Sequence, residues 1–285
     1  MDILTSPVQM RAWRRVHGSA TGLVPTMGYL HEGHLSLVRR ARSENQLLIT
    51  SLFINPTQFG PGEDFERYPR DEERDLSLLR EASVDAVYMP TGDSMYGPGY
   101  QTYIQMEEMT RRLEGDRRPI HFRGVTTIVL KLFNATTPDR AYFGRKDAQQ
   151  LRVIQRLVTD LDLGVTVVPC DIIREPDGLA MSSRNVYLSE EERTSAPAIN
   201  RALRAAKAAF GVGEQDAAAL RDMVRDQLSV IPGSEVDYVS LADDVSLDEI
   251  DGQIRSAVLL SVAVKFGQVR LLDNVELDPG TRGRT

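Results

Sequence analysis

Short apolar and β-branched runs alternate along the chain with segments whose apolar positions recur at helical spacing. The runs at 22–26 and 46–54 predict strands, with an amphipathic helix over about 35–44 between them. A helix over about 71–81 precedes a strand at 85–89, and 102–105 reads as a further short strand. Beyond it the pattern gives a helix at 125–135, a strand at 141–144, a helix at 148–161 and a strand at 165–170. Strands separated by helices predict parallel βαβ units. The expected fold class is therefore α/β, with a Rossmann-like doubly wound parallel sheet. Ligands in such sheets bind outside the carboxyl ends of the strands.

The pattern changes after Asp171. Segments 189–210 and 214–229 read as helices, the first opening with a Ser189-x-x-Glu192 capping signal. Strands follow at 236–241, 257–265 and 269–272, and Gly267 suits a hairpin turn over 265–268 because it can take positive φ. A smaller α+β domain is expected over 173–285, after a larger domain over 1–172. The boundary falls by the Pro- and Gly-containing run Arg174-Glu-Pro-Asp-Gly178.

Composition narrows the function classes. The 285 residues are 41% hydrophobic and 26% charged, which suits a globular chain able to bury a full core. No apolar run approaches the roughly 18–20 residues of a membrane helix. The opening MDILTSPVQMRAW lacks the pattern of a signal peptide, so a cytoplasmic protein without membrane contact is expected. A single cysteine, Cys170, leaves no internal disulfide framework and no cysteine-cluster metal site. Up to Arg174 the chain carries 22 basic and 22 acidic side chains, and after it 12 against 19, so the net charge of −7 belongs to the second part. That balance argues against a nucleic-acid-binding face. With 30 arginines and only four lysines, a lysine inside a motif stands out.

Four segments carry candidate chemistry. Pro25-Thr-Met-Gly-Tyr-Leu-His-Glu-Gly-His34 runs from the first predicted strand into the first predicted helix. Gly28 and Gly33 allow close backbone approach, and a helix N-terminus offers N–H groups and a positive dipole end to an anion. His31 and His34, three residues apart, can face one phosphate. A zinc site would need further ligands, for which Glu32 and His121 are available. In Phe53-Ile-Asn-Pro-Thr-Gln-Phe59, Asn55 and Gln58 can orient a polar substrate without adding charge, and 60–70 reads as a mobile flap. The acids Asp71, Glu72, Glu73 and Asp75 read as a solvated helix start, one of which could assist a nucleotide-borne metal. Phe143-Gly-Arg-Lys-Asp-Ala-Gln-Gln150 again joins a strand end to a helix, with Lys146 as mobile cation and Asp147 as cap or hydroxyl partner. Gly178-Leu-Ala-Met-Ser-Ser-Arg-Asn185 sets two hydroxyls before an arginine, an anion-binding combination.

Together these segments resemble the pantothenate synthetase (pantoate–β-alanine ligase) family, on PTMGYLHEGH, FINPTQF, YPR, HFRGV, FGRKDAQQ and REPDGLAMSSRN, in the family's order across 25–185. The His-x-Gly-His turn alone is shared with the wider nucleotidyltransferase superfamily, which leaves a relative acting on another carboxylic acid as the alternative enzyme and a nucleotide sensor as the non-enzyme. The resemblance implies condensation of pantoate with β-alanine through a pantoyl-adenylate, with ATP as co-substrate and Mg2+ arriving with it. It implies that Met27, Gly28, Tyr29, Leu30, His31, Glu32, Gly33 and His34 contact ATP, with His34 as proton donor. It assigns Lys146, Ser182, Ser183 and Arg184 to the phosphates and catalysis, Gly144, Arg145 and Asp147 to the nucleoside side, and Ile173 and Met181 to the nucleotide. Gln58, Gln150 and Asn55 would hold pantoate, with Gln58 also near β-alanine; beside the resemblance, Asp75 is expected to help the metal. The first domain would bind nucleotide and pantoate, the second would close over the active site, and the enzyme would be a homodimer. Arg145 stands where the family usually has Glu.

Overall fold

The computed structural model describes residues 1–281 and divides into two compact units. One comprises Met1–Arg145 with Gln149–Asp171, and the other comprises Lys146–Ala148 with the chain from Ile172 onward.

The first unit is built on a six-stranded, wholly parallel sheet. Its strands are β1 (Asp2–Leu4), β2 (Thr21–Thr26), β3 (Leu47–Leu52), β4 (Ala86–Tyr88), β5 (Arg140–Gly144) and β6 (Thr166–Cys170), in the order β1-β4-β3-β2-β5-β6. The connecting helices are α1 (Pro7–Val16), α2 (Glu32–Glu44), α3 (Glu72–Glu81), α4 (Gly92–Met95), α5 (Glu114–Arg117), α6 (His121–Thr136) and α7 (Ala148–Asp160). Successive strand residues point to opposite faces, so each central strand feeds two cores. Leu23, Ile49, Ala86 and Ala141 join Met10, Phe133 and Ile154 on one side; Val24, Leu48, Val87 and Tyr142 join Val38 and Leu79 on the other. Continuous apolar strands are the sequence mark of a sheet covered on both faces. The strand order reverses at β2, with β3 on one flank and β5 on the other, which makes the carboxyl ends of β2 and β5 the topological switch point.

The segment 102–105, expected as a strand, is not one. Its backbone finds partners on α6 instead: Ile104 N–H donates to Thr127 Oγ1 at 2.9 Å, and Ile104 O accepts from Thr126 Oγ1 at 2.8 Å. With those groups satisfied by hydroxyls, no ladder forms. The sequence pattern also passed over β1 and α1. The former is a three-residue strand against β4, and the latter opens with Ser6 as cap and Pro7 in the first turn.

The second unit holds α8 (Glu190–Ser195), α9 (Ala198–Gly211) and α10 (Ala217–Ser229), then an antiparallel sheet of β7 (Ser234–Asp243), β8 (Val258–Phe266) and β9 (Val269–Leu277). The single helix expected over 189–210 is two helices. The Ser189–Glu192 capping box is present, but Pro197 brings no N–H to the ladder and splits the run. The β8–β9 hairpin turns at Gly267, whose φ is +53°. Leu203, Phe210, Leu220 and Val224 pack with Leu260, Val262 and Val264 to form this unit's core.

Candidate active site

The chain leaves β2 through two consecutive left-handed residues, Gly28 at φ +86° and Tyr29 at φ +50°. Glycine takes that conformation without penalty, whereas tyrosine needs to be held there. The holder is Asp75 on α3, only 2% exposed, whose Oδ2 accepts from Tyr29 N–H at 2.6 Å and Oδ1 from Leu30 N–H at 2.7 Å. Arg74 adds a bond from Nη1 to Leu30 O at 2.9 Å. Asp71, Glu72 and Glu73 are exposed as expected, but Asp75 is not part of that solvated start. Burial pushes its carboxyl above the usual range, against the pull of the two N–H groups.

The loop delivers His31 as N-cap of α2 and His34 as its third residue. Gly33 N–H donates to His31 Nδ1 at 3.1 Å, and His31 N–H donates to His34 Nδ1 at 3.4 Å. The motif spacing is thus that of a capping box, closed by two imidazoles whose rings lie 4.0 Å apart. Because each Nδ1 accepts, a neutral ring carries its proton on Nε2. Two N–H donors therefore sit at the first turn of a helix beside the switch point, an arrangement suited to phosphate oxygens. Glu32, exposed, pairs with Arg39.

Beyond β3, Pro56–Gln58 form a short 3-10 turn. Asn55 is 1% and Gln58 8% exposed, and Asn55 Nδ2 donates both to Gln58 Oε1 and to Gly124 O, each at 3.1 Å. Gln58 Nε2 reaches Met27 Sδ at 3.2 Å, which brings the Asn55–Gln58 turn to the β2 loop. Gln58 O accepts from Arg118 Nη2 at 3.3 Å and lies 3.0 Å from His121 Nδ1. The segment read as a flap has an anchor, since Arg118 grips Glu63 through Nε and Nη2 at 2.8 and 2.5 Å.

His121 is half-buried, and its pKa falls from 6.5 to about 4 through desolvation and the neighbouring Arg118, against the smaller opposing pull of the Gln58 carbonyl, Glu114 and Glu63. Unfolding therefore takes up a proton between those values, so this contribution to stability is complete above pH 6.5 and is lost as pH falls through 4. The expected loss is on the order of 3 kcal/mol. Urea denaturation between pH 7 and 4 measures it, and His121→Asn should flatten that part of the profile.

At the end of β5, Gly144 is followed by Arg145, which lies 3.7 Å from Asp171 Oδ1. Gln150 follows on the first turn of α7. In the second unit, Asn274 Nδ2 donates to Lys146 O at 2.9 Å, and Lys146 Nζ lies 3.7 Å from Asp147 Oδ1. Met181 N–H donates to Ile173 O at 3.0 Å, across the bridge that pairs Arg174 with Ala180. Ser182 caps the 3-10 turn Ser183–Tyr187, its Oγ accepting from Arg184 N–H at 3.3 Å. Nearby, Arg174 holds the buried Asp273 bidentately at 2.6 and 2.9 Å.

Within the first unit, the structure brings Met27–His34, Asn55, Gln58 and Asp75 together. Sequence reasoning left Gly124 and Tyr96 without a role and offered His121 only as a zinc ligand; the Tyr96 hydroxyl donates to Asn55 Oδ1 at 2.7 Å. The His121-Phe-Arg-Gly124 run was visible as a motif, but nothing in it resembles a ligand set. Among the described residues no cluster of three or more His, Cys, Asp or Glu could hold a metal, so the zinc arrangement with Glu32 and His121 does not form.

A family pattern described as pantoate-beta-alanine ligase matches residues 2–276. Pantothenate synthetase of Roseiflexus sp. (strain RS-1) is 53% identical over 278 residues, 98% of this chain and all of that protein. The crystal structure of pantothenate synthetase from Thermus thermophilus superposes with a TM-score of 0.93 at 45% identity, covering 98% of this chain and 100% of that one. Pantoate-beta-alanine ligase from Francisella tularensis, complexed with beta-gamma ATP and beta-alanine, gives 0.78 at 32% identity over 96% and 97% of the two chains.

Proposed function

The chain belongs to the pantoate–β-alanine ligase family, and on that premise we propose that it condenses (R)-pantoate with β-alanine to pantothenate, driven by ATP through a pantoyl-adenylate. A carboxylate is a poor acyl donor. Attack of its oxygen on the α-phosphorus of ATP forms a P–O bond, breaks the bond to the bridging oxygen and releases pyrophosphate. The β-alanine amine then attacks the acyl carbon, loses a proton, and displaces AMP. Adenylation makes no covalent demand on the protein, so positioning and charge stabilisation carry it.

The observation that carries this reading is the capping box of His31 and His34, which fixes two Nε2–H donors at the N-terminus of α2 beside the switch point. His34 serves the transition state and His31 the phosphates. Backbone of Met27–Gly33 lines the nucleotide. Asn55, Gln58 and Gln150 bind pantoate. Lys146, Ser182, Ser183 and Arg184 hold the phosphates; Gly144, Arg145, Asp147 and Ile173 serve the nucleoside, and Met181 the nucleotide. Family membership also supports a cytoplasmic homodimer.

Magnesium would supply charge neutralisation on ATP. It would be held mainly by substrate phosphates and water, as magnesium at nucleotide sites usually is. Asp75, whose two oxygens are engaged by the loop, is assigned to the loop rather than to the ion.

The deciding experiment is exchange of labelled pyrophosphate into ATP with β-alanine left out. Exchange that requires pantoate is expected. Exchange with a different carboxylic acid and none with pantoate would redirect the reading to another adenylate-forming enzyme, and tight ATP binding without exchange or AMP formation would leave a nucleotide sensor.

A further inference from the structure

The first turn of α6 carries conspicuous residues that the reaction leaves without a task. Gly124 faces the 3-10 turn so closely that a Cβ there would lie 2.4 Å from Thr57 O and 2.5 Å from Gln58 N. Those are backbone atoms, so any side chain would push the turn away. Gly124 also offers its carbonyl to Asn55 Nδ2 at 3.1 Å, the same nitrogen that holds Gln58 Oε1. The other side of Asn55 is fixed by Tyr96 OH at 2.7 Å and Thr57 Oγ1 at 3.0 Å, both donating to Oδ1. The Gln58 carbonyl faces His121 Nδ1 at 3.0 Å. A carbonyl only accepts, so the ring is the Nδ1–H tautomer, and desolvation beside Arg118 favours its neutral form. Backbone, amide and carbonyl of one short turn are thus all fixed from one helix end.

We infer that His121 and Gly124 are positioning residues for the pantoate subsite: they fix the Asn55–Gln58 turn so that the Gln58 amide is presented to the substrate in one orientation. The inference rests on the proposed role of Gln58 in pantoate binding. A glutamine left to rotate would spend binding energy on its own ordering, and each unmade bond to a buried group weakens the subsite. His31 and His34 hold each other through the α2 cap, so the nucleotide side should be insensitive.

The test compares His121→Leu, which removes the donor, with His121→Asn, whose amide can donate from nearly the Nδ1 position. KM for pantoate and for ATP would be read from pyrophosphate exchange, with thermal midpoints as a check on folding. His121→Leu is expected to raise the pantoate KM about tenfold, as loss of one hydrogen bond to a buried group implies, with the ATP KM within twofold. His121→Asn should recover most of the loss. Equal rises in both KM values, an unchanged pantoate KM, or an asparagine variant no better than leucine would overturn the inference. If His121→Leu does not fold, Arg118→Met removes the second donor to the same carbonyl and should give the same pantoate-selective rise; a rise shared with ATP overturns it. Wild-type protein without pantoate-dependent exchange would overturn the functional reading itself, whereas active wild type with an unselective variant overturns only the positioning role.

Discussion

His34→Ala is expected to lower the adenylation rate by about 10²–10³-fold, the usual consequence of removing one preorganised donor from a developing charge, while ATP affinity changes only a few-fold. The asymmetry follows from how the ring is held. Its Nδ1 accepts from the His31 N–H, so a neutral ring carries its proton on Nε2, the donor that alanine removes. The ring is also braced against His31 at 4.0 Å, so little reorganisation accompanies reaction. Alanine removes one leg of the cap as well, an effect of about 1 kcal/mol on stability that must be separated from the rate. His34→Asn does so: its side-chain oxygen can replace the Nδ1 acceptor, but it has no donor at the Nε2 position. Unfolding stability should then be retained and the rate still lost. Pyrophosphate exchange beside equilibrium ATP binding measures both. Equal losses in binding and rate would make His34 a ground-state phosphate ligand.

The same residues show what the sequence could and could not reveal. His31 and His34 were conspicuous because two of four histidines flank a glycine where a strand runs into a helix, and local spacing suffices to read a helix start. The central strands were equally legible, since consecutive apolar residues such as Leu47-Leu-Ile49 supply both faces of a sheet only when both are covered. Asp75 was read with the acids around it because its role depends on residues 45 and 46 positions away. Among four acids in one helix turn, only the fold decides which one turns inward. The segment 102–105 failed for a related reason: the β-branched and aromatic residues of Thr102-Tyr-Ile-Gln105 are a strand signal, but hydroxyls from Thr126 and Thr127 take the place of a neighbouring strand. Pro197 was visible, but the Ser189–Glu192 cap reads as the start of the apolar pattern of Ile199–Phe210, whereas it opens a separate short helix that buries no side chain.

Asp75→Asn is expected to be nearly as damaging to activity, and for a reason unrelated to metal. The carboxylate presents two acceptors to two consecutive N–H groups, at 2.6 and 2.7 Å, and these hold Tyr29 at φ +50°. Asparagine has the same shape but turns one of those acceptors into an NH2 facing another N–H. One buried donor is then unpaired, which costs about 1–3 kcal/mol, and the charge-assisted strength of the remaining bond is lost. Tyr29 has a further 1–2 kcal/mol, roughly, to gain by leaving the left-handed region. The loop that aims the α2 N-terminus should relax, and a shift of about 1 Å at a reacting centre can lower a rate by roughly 10². The expected result is therefore an adenylation rate down by about 10²-fold together with a stability loss of about 2–4 kcal/mol, the latter measured by urea denaturation with a chelator present. Replacing Tyr29 by glycine in the Asp75→Asn background should recover part of the stability, because glycine adopts the same φ without strain. If Asp75 instead served magnesium, the variant would keep its stability in chelator, and its rate would return as magnesium is raised. The loop role requires that no magnesium concentration restores it.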